Sequence, residues 1–286
     1  MASSVALPSA DFDAAWDSII LPGDAKARLA RQSAVTLTMR AAGIPFEALP
    51  LHGISLLLGP PGTGKTTLAR GLANRIASAA KSLGTFLYIE VDPHSLMSSA
   101  HGRSQKAVER FFNELIADTA DHGPTIVLLD EVETIAADRA KLSLEANPVD
   151  VHRAVDAALT SVDQLARSYG TLLFIATSNV PEVVDGAFTS RADVIYTFPL
   201  PNLEARVKIL TNTVQAVAAK FPGARGVIDD PALLAAAKAA EGLDGRRLRK
   251  LVATACAMRA EAKVDPNQLS GADLLEAVKE AKVSRP

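Results

Sequence analysis

The sequence predicts an α/β protein: a parallel five-stranded sheet with helices on both faces, followed by a small helical domain. Three observations predict it. First, five short apolar runs, at 54–58, 85–91, 125–129, 172–176 and 194–198, are separated mostly by longer helical patterns such as 105–120 and 151–167. Apolar strands alternating with helices need crossover connections, and so a mostly parallel sheet covered on both faces. Second, a glycine-rich stretch, Gly59-Pro60-Pro61-Gly62-Thr63-Gly64-Lys65-Thr66, joins the first strand to a helix running from Lys65 to about Ala80. Strand, glycine-rich loop, helix is the setting of a phosphate-binding loop. Third, no strand pattern follows Pro199-Leu200-Pro201, and helices are expected at about 203–219, 231–240, 245–262 and 270–282. The expected division is therefore a large α/β domain over 1–200 and a small helical domain over 201–286.

Residues 1 to about 10 are small and polar and are expected to fray. A helical pattern over 24–41 runs up to Gly43, a C-cap. Asp230-Pro231 and Ser270-Gly271-Ala272-Asp273 are helix starts, the second a capping box.

Composition removes several classes of function. At 286 residues the chain has room for one large domain and a satellite, not for two full nucleotide-binding modules. An apolar fraction of 48% supports a sizeable core, and 22% charged residues is no disordered tail. A net charge of −2 advertises neither a nucleic-acid nor an anionic-membrane surface. Cys256 is the only cysteine, which excludes a disulfide framework and a cysteine-built metal site. The N-terminus has no basic region followed by a long apolar run, and no stretch approaches a membrane span, so a cytoplasmic chain is expected. The five histidines (52, 94, 101, 122, 152) show no metal-ligand spacing.

The phosphate loop carries the first chemistry. Its glycines let the backbone aim N–H groups at phosphate oxygens, and the helix N-terminus adds partial positive charge. Lys65 reaches the β/γ-phosphates and Thr66 offers a hydroxyl to Mg²⁺. The expected ligand is a nucleoside triphosphate with Mg²⁺. The strand Thr125-Ile126-Val127-Leu128-Leu129 ends in Asp130-Glu131, at the strand end where ligands sit in open α/β sheets. Beside a triphosphate, Asp130 can hold the Mg²⁺ shell and Glu131 can orient and deprotonate the attacking water. Thr177-Ser178-Asn179 ends another strand, where a short polar side chain would face the γ-phosphate or the water; alone it is an ordinary turn. Within Phe188-Thr189-Ser190-Arg191-Ala192-Asp193, Arg191 is suited to stabilising transferring phosphoryl charge. In the basic run Gly242-Leu243-Asp244-Gly245-Arg246-Arg247-Leu248-Arg249-Lys250, Arg246 at the helix start is the candidate that reaches back to the nucleotide. The remaining cations there read as a solvated face.

Taken in order, these residues resemble the AAA+ ATPases. The resemblance makes Gly59–Thr66 the Walker A loop, with Thr67 next to it among the nucleotide contacts, and Leu128–Glu131 Walker B. It makes Asn179 sensor 1, Arg191 an arginine finger and Arg246 sensor 2. Trp16-Asp17-Ser18-Ile19-Ile20-Leu21 is similar to the stretch that packs on adenine, which adds Ile19 and Ile20. It implies ATP and Mg²⁺ as cofactors, with Lys65, Glu131, Asn179 and Arg191 catalytic and Thr66 and Asp130 on the metal. It also implies a hexameric ring of identical subunits, each arginine finger reaching a neighbour's ATP.

A narrower resemblance rests on Asp130-Glu131-Val132-Glu133, on the segment from Arg153 to Leu165, on Thr177-Ser178-Asn179, on Arg191-Ala192-Asp193 and on Gly245–Lys250. Together they look like the pachytene-checkpoint, or thyroid-receptor-interacting-protein-thirteen, branch. That branch unfolds part of HORMA-domain proteins. Bacterial relatives accompany HORMA proteins in anti-phage operons with a cyclic-oligonucleotide synthase. The implied reaction is ATP hydrolysis that drives remodelling of a HORMA client and so ends a signal. The sequence departs from the branch twice. Only a short segment precedes Gly59, leaving no room for the substrate-recognition domain of the eukaryotic members. The pore-loop position, with Met97, Ser98, Ser99, Ala100 and His101, has Ala100 and His101 where aromatics are expected. Residues 139–150 would form a second pore-facing loop. Two other readings are an AAA+ protein acting on DNA-bound assemblies, of the clamp-loader or transposition-accessory type, and an ATP-binding assembly switch with little turnover. Neutral charge opposes the first, and the paired Asp130-Glu131 opposes the second.

Overall fold

A computed structural model describes residues 3–91, 104–136, 148–258 and 265–283. The chain forms two compact units. The first comprises Met1–Ile19, Asp24–Gly59 and Lys65–Phe198, and the second Ile20–Gly23, Pro60–Gly64 and Pro199–Pro286.

The first unit is built on a six-stranded sheet of β1 (Ser3–Leu7), β2 (Ile54–Leu58), β3 (Phe86–Val91), β4 (Thr125–Leu129), β5 (Leu172–Ser178) and β6 (Val194–Thr197), in the order β1-β3-β4-β5-β2-β6. The five strands from β2 to β6 are parallel, as their aliphatic runs predict. Every residue of β4 and β5 is buried, because helices cover both faces of these central strands. The N-terminus departs from the expected frayed tail. Ser3–Leu7 pairs antiparallel with Phe86–Glu90, Leu7 is buried, and the Ser9 N–H donates to Asn74 Oδ1 at 2.7 Å. The run Val5-Ala6-Leu7 thereby covers an edge of β3 that would otherwise expose a row of unpaired backbone groups.

The helix Lys65–Ala79 leaves β2, and Gly71 lets it approach the helix Ala10–Ser18: a Cβ there would lie 2.6 Å from Trp16 Cα. The expected helix 105–120 is one helical stretch, Ser104–Asp121, with a π-helical insertion at Phe111–Ile116. Phe111, Phe112 and Ile116 pack with Phe174 and the aliphatic face of the helix Pro148–Ser168 in the main core. Ala25–Ala41 ends at Gly43 with φ 73°, the left-handed residue of a C-cap.

Arg40, near the end of that helix, is buried and donates to the carbonyls of Leu172, Ala166 and Tyr169. It closes the carbonyl end of the helix Pro148–Ser168, where a cation is favoured. Burial draws its pKa down to about 10, against the opposing pull of Asp193, and it stays charged at neutral pH. Arg40→Ala strands these buried carbonyls. It is expected to cost about 3 kcal/mol or more of stability, seen as a lower urea midpoint; an unchanged midpoint contradicts this.

The second unit packs four helices, Leu203–Ala218, Pro231–Ala239, Gly245–Ala255 and Gly271–Val283, with a 3-10 segment Pro222–Asp229 that the sequence did not suggest. Asn202 caps Ala205, Asp230 caps Ala232, and Ser270 and Asp273 bond reciprocally as the expected capping box. The helix expected over 245–262 stops at Ala255, where Cys256 and Ala257 turn. No helix among the described residues is long and apolar enough to cross a membrane.

Candidate active site

Parallel pairing in register brings the C-terminal ends of β2, β4 and β5 together. Leu58 stands opposite Ser178, and Leu129 opposite Ala176. Gly59, Asp130 and Asn179 are the first residues beyond these strands, so the register alone makes them neighbours. Gly59 has φ 142°, and a Cβ there would sit 2.7 Å from the Phe198 carbonyl oxygen, so no other residue fits.

Lys65 opens its helix with its side chain buried. Its ammonium donates to the Gly59 carbonyl at 2.7 Å and to Asn179 Oδ1 at 2.8 Å. The other end of the same amide, Nδ2, donates to Glu131 Oε1 at 2.8 Å. Only this orientation turns the amide oxygen to the cation and its NH₂ to the carboxylate. Asn179 thus bridges Lys65 and Glu131.

Next to this bridge, Thr66 Oγ1 donates to Asp130 Oδ1 at 2.8 Å. Thr177 Oγ1 donates to the same oxygen and accepts the Glu131 N–H at 3.1 Å. Glu131 is the one non-glycine residue with positive φ among the described residues (φ 55°, ψ 53°). Such a conformation costs about 1–3 kcal/mol and persists only where neighbours enforce it. Here Thr177 and Asn179 hold its backbone and side chain. Glu133, in the turn Val132–Thr134, accepts the Asn179 N–H at 3.1 Å. A hydroxyl and one carboxylate are hard oxygen donors, few in number, which suits Mg²⁺ completed by phosphate oxygens and water.

Arg191 stands apart from this group. Its Nε and Nη2 donate to the two oxygens of Asp163 at 2.7 and 2.8 Å, and Nη1 donates to the Ala187 carbonyl at 2.7 Å. The bond from Arg191 holds the Asp163 carboxyl below its usual range, and Arg191 is raised in return. His52 Nε2 lies 3.2 Å from the same carboxylate; burial lowers its pKa against that attraction. Asp193 accepts the N–H groups of His52, Gly53 and Ile54 at 3.0, 2.6 and 3.0 Å, tying this loop to the start of β2.

Pro60–Gly64 groups with the second unit. There Gly62 has φ 78°, and a Cβ on it would lie 2.2 Å from Asp244 Oδ1. Asp244 caps its helix by accepting from the N–H groups of Arg246 and Arg247, and the Arg246 N–H also donates to the Gly62 carbonyl at 3.1 Å. The backbone of Arg246 is therefore set beside Gly62. Thr63 Oγ1 donates to the Pro60 carbonyl at 2.8 Å, and Gly64 has φ 96°. Pro61 lies in the loop turn, and Thr67 is half-buried in the first turn of the helix Lys65–Ala79. Ile19 is buried in the first unit, where its carbonyl accepts from Lys26 Nζ at 2.9 Å. Ile20 packs against the helical core of the second. Met97, Ser98, Ser99, Ala100 and His101 lie outside the described residues, as does most of 139–150.

Four residues of these networks were not singled out from the sequence: Thr177, Glu133, Asp163 and Asp244. Each lies inside a motif already quoted. Thr177, Glu133 and Asp163 meet partners from another element, which no local spacing reports, whereas Asp244 caps its own helix through the N–H groups of Arg246 and Arg247.

Known proteins share the family and the fold of this chain. The family model described as "ATPase family associated with various cellular activities (AAA)" matches residues 55–200. The chain is 49% identical over 279 residues to CD-NTase-associated protein 6 of Pseudomonas aeruginosa, covering 98% of this chain and 91% of that protein. It is 34% identical over 276 residues to the Pachytene checkpoint protein 2 homolog of Arabidopsis thaliana, covering 86% of this chain and 59% of the plant protein. Among solved structures, C. elegans PCH-2 superposes with TM-score 0.80 at 26% identity, covering 99% of this chain and 76% of that one. A chain of the E. coli MS115-1 HORMA:CdnC:Trip13 complex superposes with TM-score 0.75 at 18% identity, covering 97% and 94%, a likeness of fold.

Proposed function

The chain belongs to the AAA family of ATPases, and from that premise we propose an ATP- and Mg²⁺-dependent enzyme that remodels HORMA-domain proteins. We place it in the bacterial cytoplasm, as the off-switch of a cyclic-oligonucleotide anti-phage system. One observation carries the hydrolytic half: the Asn179 amide shared between Lys65 and Glu131, beside the Thr66–Asp130 pair. The client half is supported by identity, over nearly the whole of both chains, with a protein named for its association with CD-NTases. It is supported further by the fold shared with a chain solved in complex with HORMA and CdnC.

In this reading the backbone of Gly59–Thr66 and the Lys65 ammonium hold the β- and γ-phosphates, and Thr66 and Asp130 hold Mg²⁺. With Mg²⁺ bound there, part of the negative charge of the phosphate oxygens would be neutralised. Asn179 Nδ2 and a Glu131 carboxylate oxygen orient water in line with the γ-phosphorus. Glu131 takes the water proton as the new P–O bond forms and the bond to the ADP oxygen breaks. Arg191 supplies a guanidinium to the neighbouring subunit's γ-phosphate in a hexameric ring, and Arg246 reports the phosphate state to the helical unit. The net charge of −2 gives no support to a DNA-bound client.

The test is steady-state ATPase with and without a HORMA-domain protein. Turnover stimulated by the client is expected; turnover absent under all conditions contradicts the enzyme. Lys65→Ala removes a charged bond to phosphate and is expected to weaken ATP binding by about ten- to a hundredfold. Unchanged affinity in a nucleotide titration contradicts the loop assignment.

A further inference from the structure

Glu133 has no part in the mechanism above, yet it reaches into the group that does. It lies two residues past the left-handed turn at Glu131, in the turn Val132–Thr134, between the buried Val132 and Ile135. Its Oε1 accepts the backbone N–H of Asn179, the first residue past β5, at 3.1 Å. Its Oε2 is buried and accepts no hydrogen bond among the described residues.

A loop tie alone does not account for this arrangement. One neutral acceptor would satisfy one N–H, whereas a carboxylate brought in with an unpaired oxygen carries a desolvation cost that a single bond does not offset. A buried carboxylate oxygen with no partner among the described residues calls for an explanation. A carboxylate also has a property an amide lacks: both its oxygens only accept, so it cannot pair with Asn179 the wrong way round. Fixing the Asn179 backbone fixes where its side chain begins, and that side chain must meet Lys65 and Glu131 at 2.8 Å each. A small displacement of Asn179 breaks both contacts together.

We infer that Glu133 is a positioning residue for hydrolysis, acting through Asn179 and touching neither nucleotide nor water. The inference rests on the assignment of Asn179 to the hydrolytic site made above.

The test compares kcat and nucleotide affinity for Glu133→Ala, Glu133→Asp, Glu133→Gln, Asn179→Ala and the double variant Glu133→Ala/Asn179→Ala. Glu133→Ala is expected to lower kcat by about ten- to a hundredfold, with ATP affinity within about twofold of the parent because Lys65 keeps its bond to the Gly59 carbonyl and Thr66 its bond to Asp130. Glu133→Asp keeps the charge but falls one methylene short, and is expected to lose turnover similarly. Glu133→Gln keeps the reach and one acceptor oxygen, but its NH₂ can face the Asn179 N–H instead, and it is expected to recover only part of what alanine loses. The double variant is expected to be no slower than Asn179→Ala alone, since both lesions act on one element. Unchanged kcat in Glu133→Ala, or losses that multiply in the double variant, overturns the inference. Should Glu133→Ala fail to fold, the other pair decides: full turnover in Glu133→Asp, or a loss in Glu133→Gln as large as that of Asn179→Ala, overturns it. Normal turnover in Asn179→Ala instead removes the premise, and is read separately from the Glu133 variants.

Discussion

Glu131→Gln is expected to bind ATP as tightly as the parent chain and to hydrolyse it about 10²–10⁴-fold more slowly. The carboxamide has the shape of the carboxylate, and its oxygen can still accept from Asn179 Nδ2, so the 2.8 Å contact and the left-handed backbone held by Thr177 are retained. What is lost is the capacity to take a proton from water. Binding is expected to be spared because the proposed phosphate contacts are those of the loop and Lys65. Steady-state turnover and nucleotide titration on one preparation separate the two quantities, and normal turnover in this variant contradicts the water-activating role.

Arg191→Ala is expected to reduce hydrolysis by about 10³–10⁵-fold, the scale on which a supplied guanidinium stabilises phosphoryl transfer. Arg191 is held at one edge by both oxygens of Asp163 and by the Ala187 carbonyl. These bonds commit three of the five N–H donors of a guanidinium. A finger so oriented costs little entropy when it meets phosphate. Because Arg191 stands apart from its own chain's Lys65–Asn179–Glu131 bridge, the effect is expected between subunits. Mixing Arg191→Ala with Glu131→Gln places intact carboxylates beside intact fingers and is expected to restore part of the activity. No recovery at any mixing ratio contradicts a shared site.

Local spacing made much of this architecture legible in the sequence. The runs Ile54–Leu58, Thr125–Leu129 and Leu172–Ser178 are mostly aliphatic and almost wholly buried, as central strands covered on both faces are, and each leads into residues of the candidate site. Asp130, Glu131 and Asn179 follow their strands directly, and Lys65 and Thr66 follow β2 after the six-residue loop 59–64, so parallel strands together with that loop imply their proximity. Ser3–Leu7 escaped notice because a five-residue run with two serines carries little signal, and its pairing with β3 lies some 80 residues away in sequence. The π-helical insertion at Phe111–Ile116 leaves the helical pattern around it intact and was hidden for that reason. Asp163 reads as one more acid on a helix until Arg191, 28 residues on, closes onto it. Thr177 reads as a strand-end turn until Asp130 arrives from β4.

The most direct test of the central claim follows a closed HORMA–peptide complex by size exclusion with this protein, Mg²⁺ and ATP. ATP-dependent disassembly that fails with Glu131→Gln is the result predicted here. A HORMA complex that stays intact while ATP is hydrolysed would contradict HORMA remodelling and leave only the ATPase.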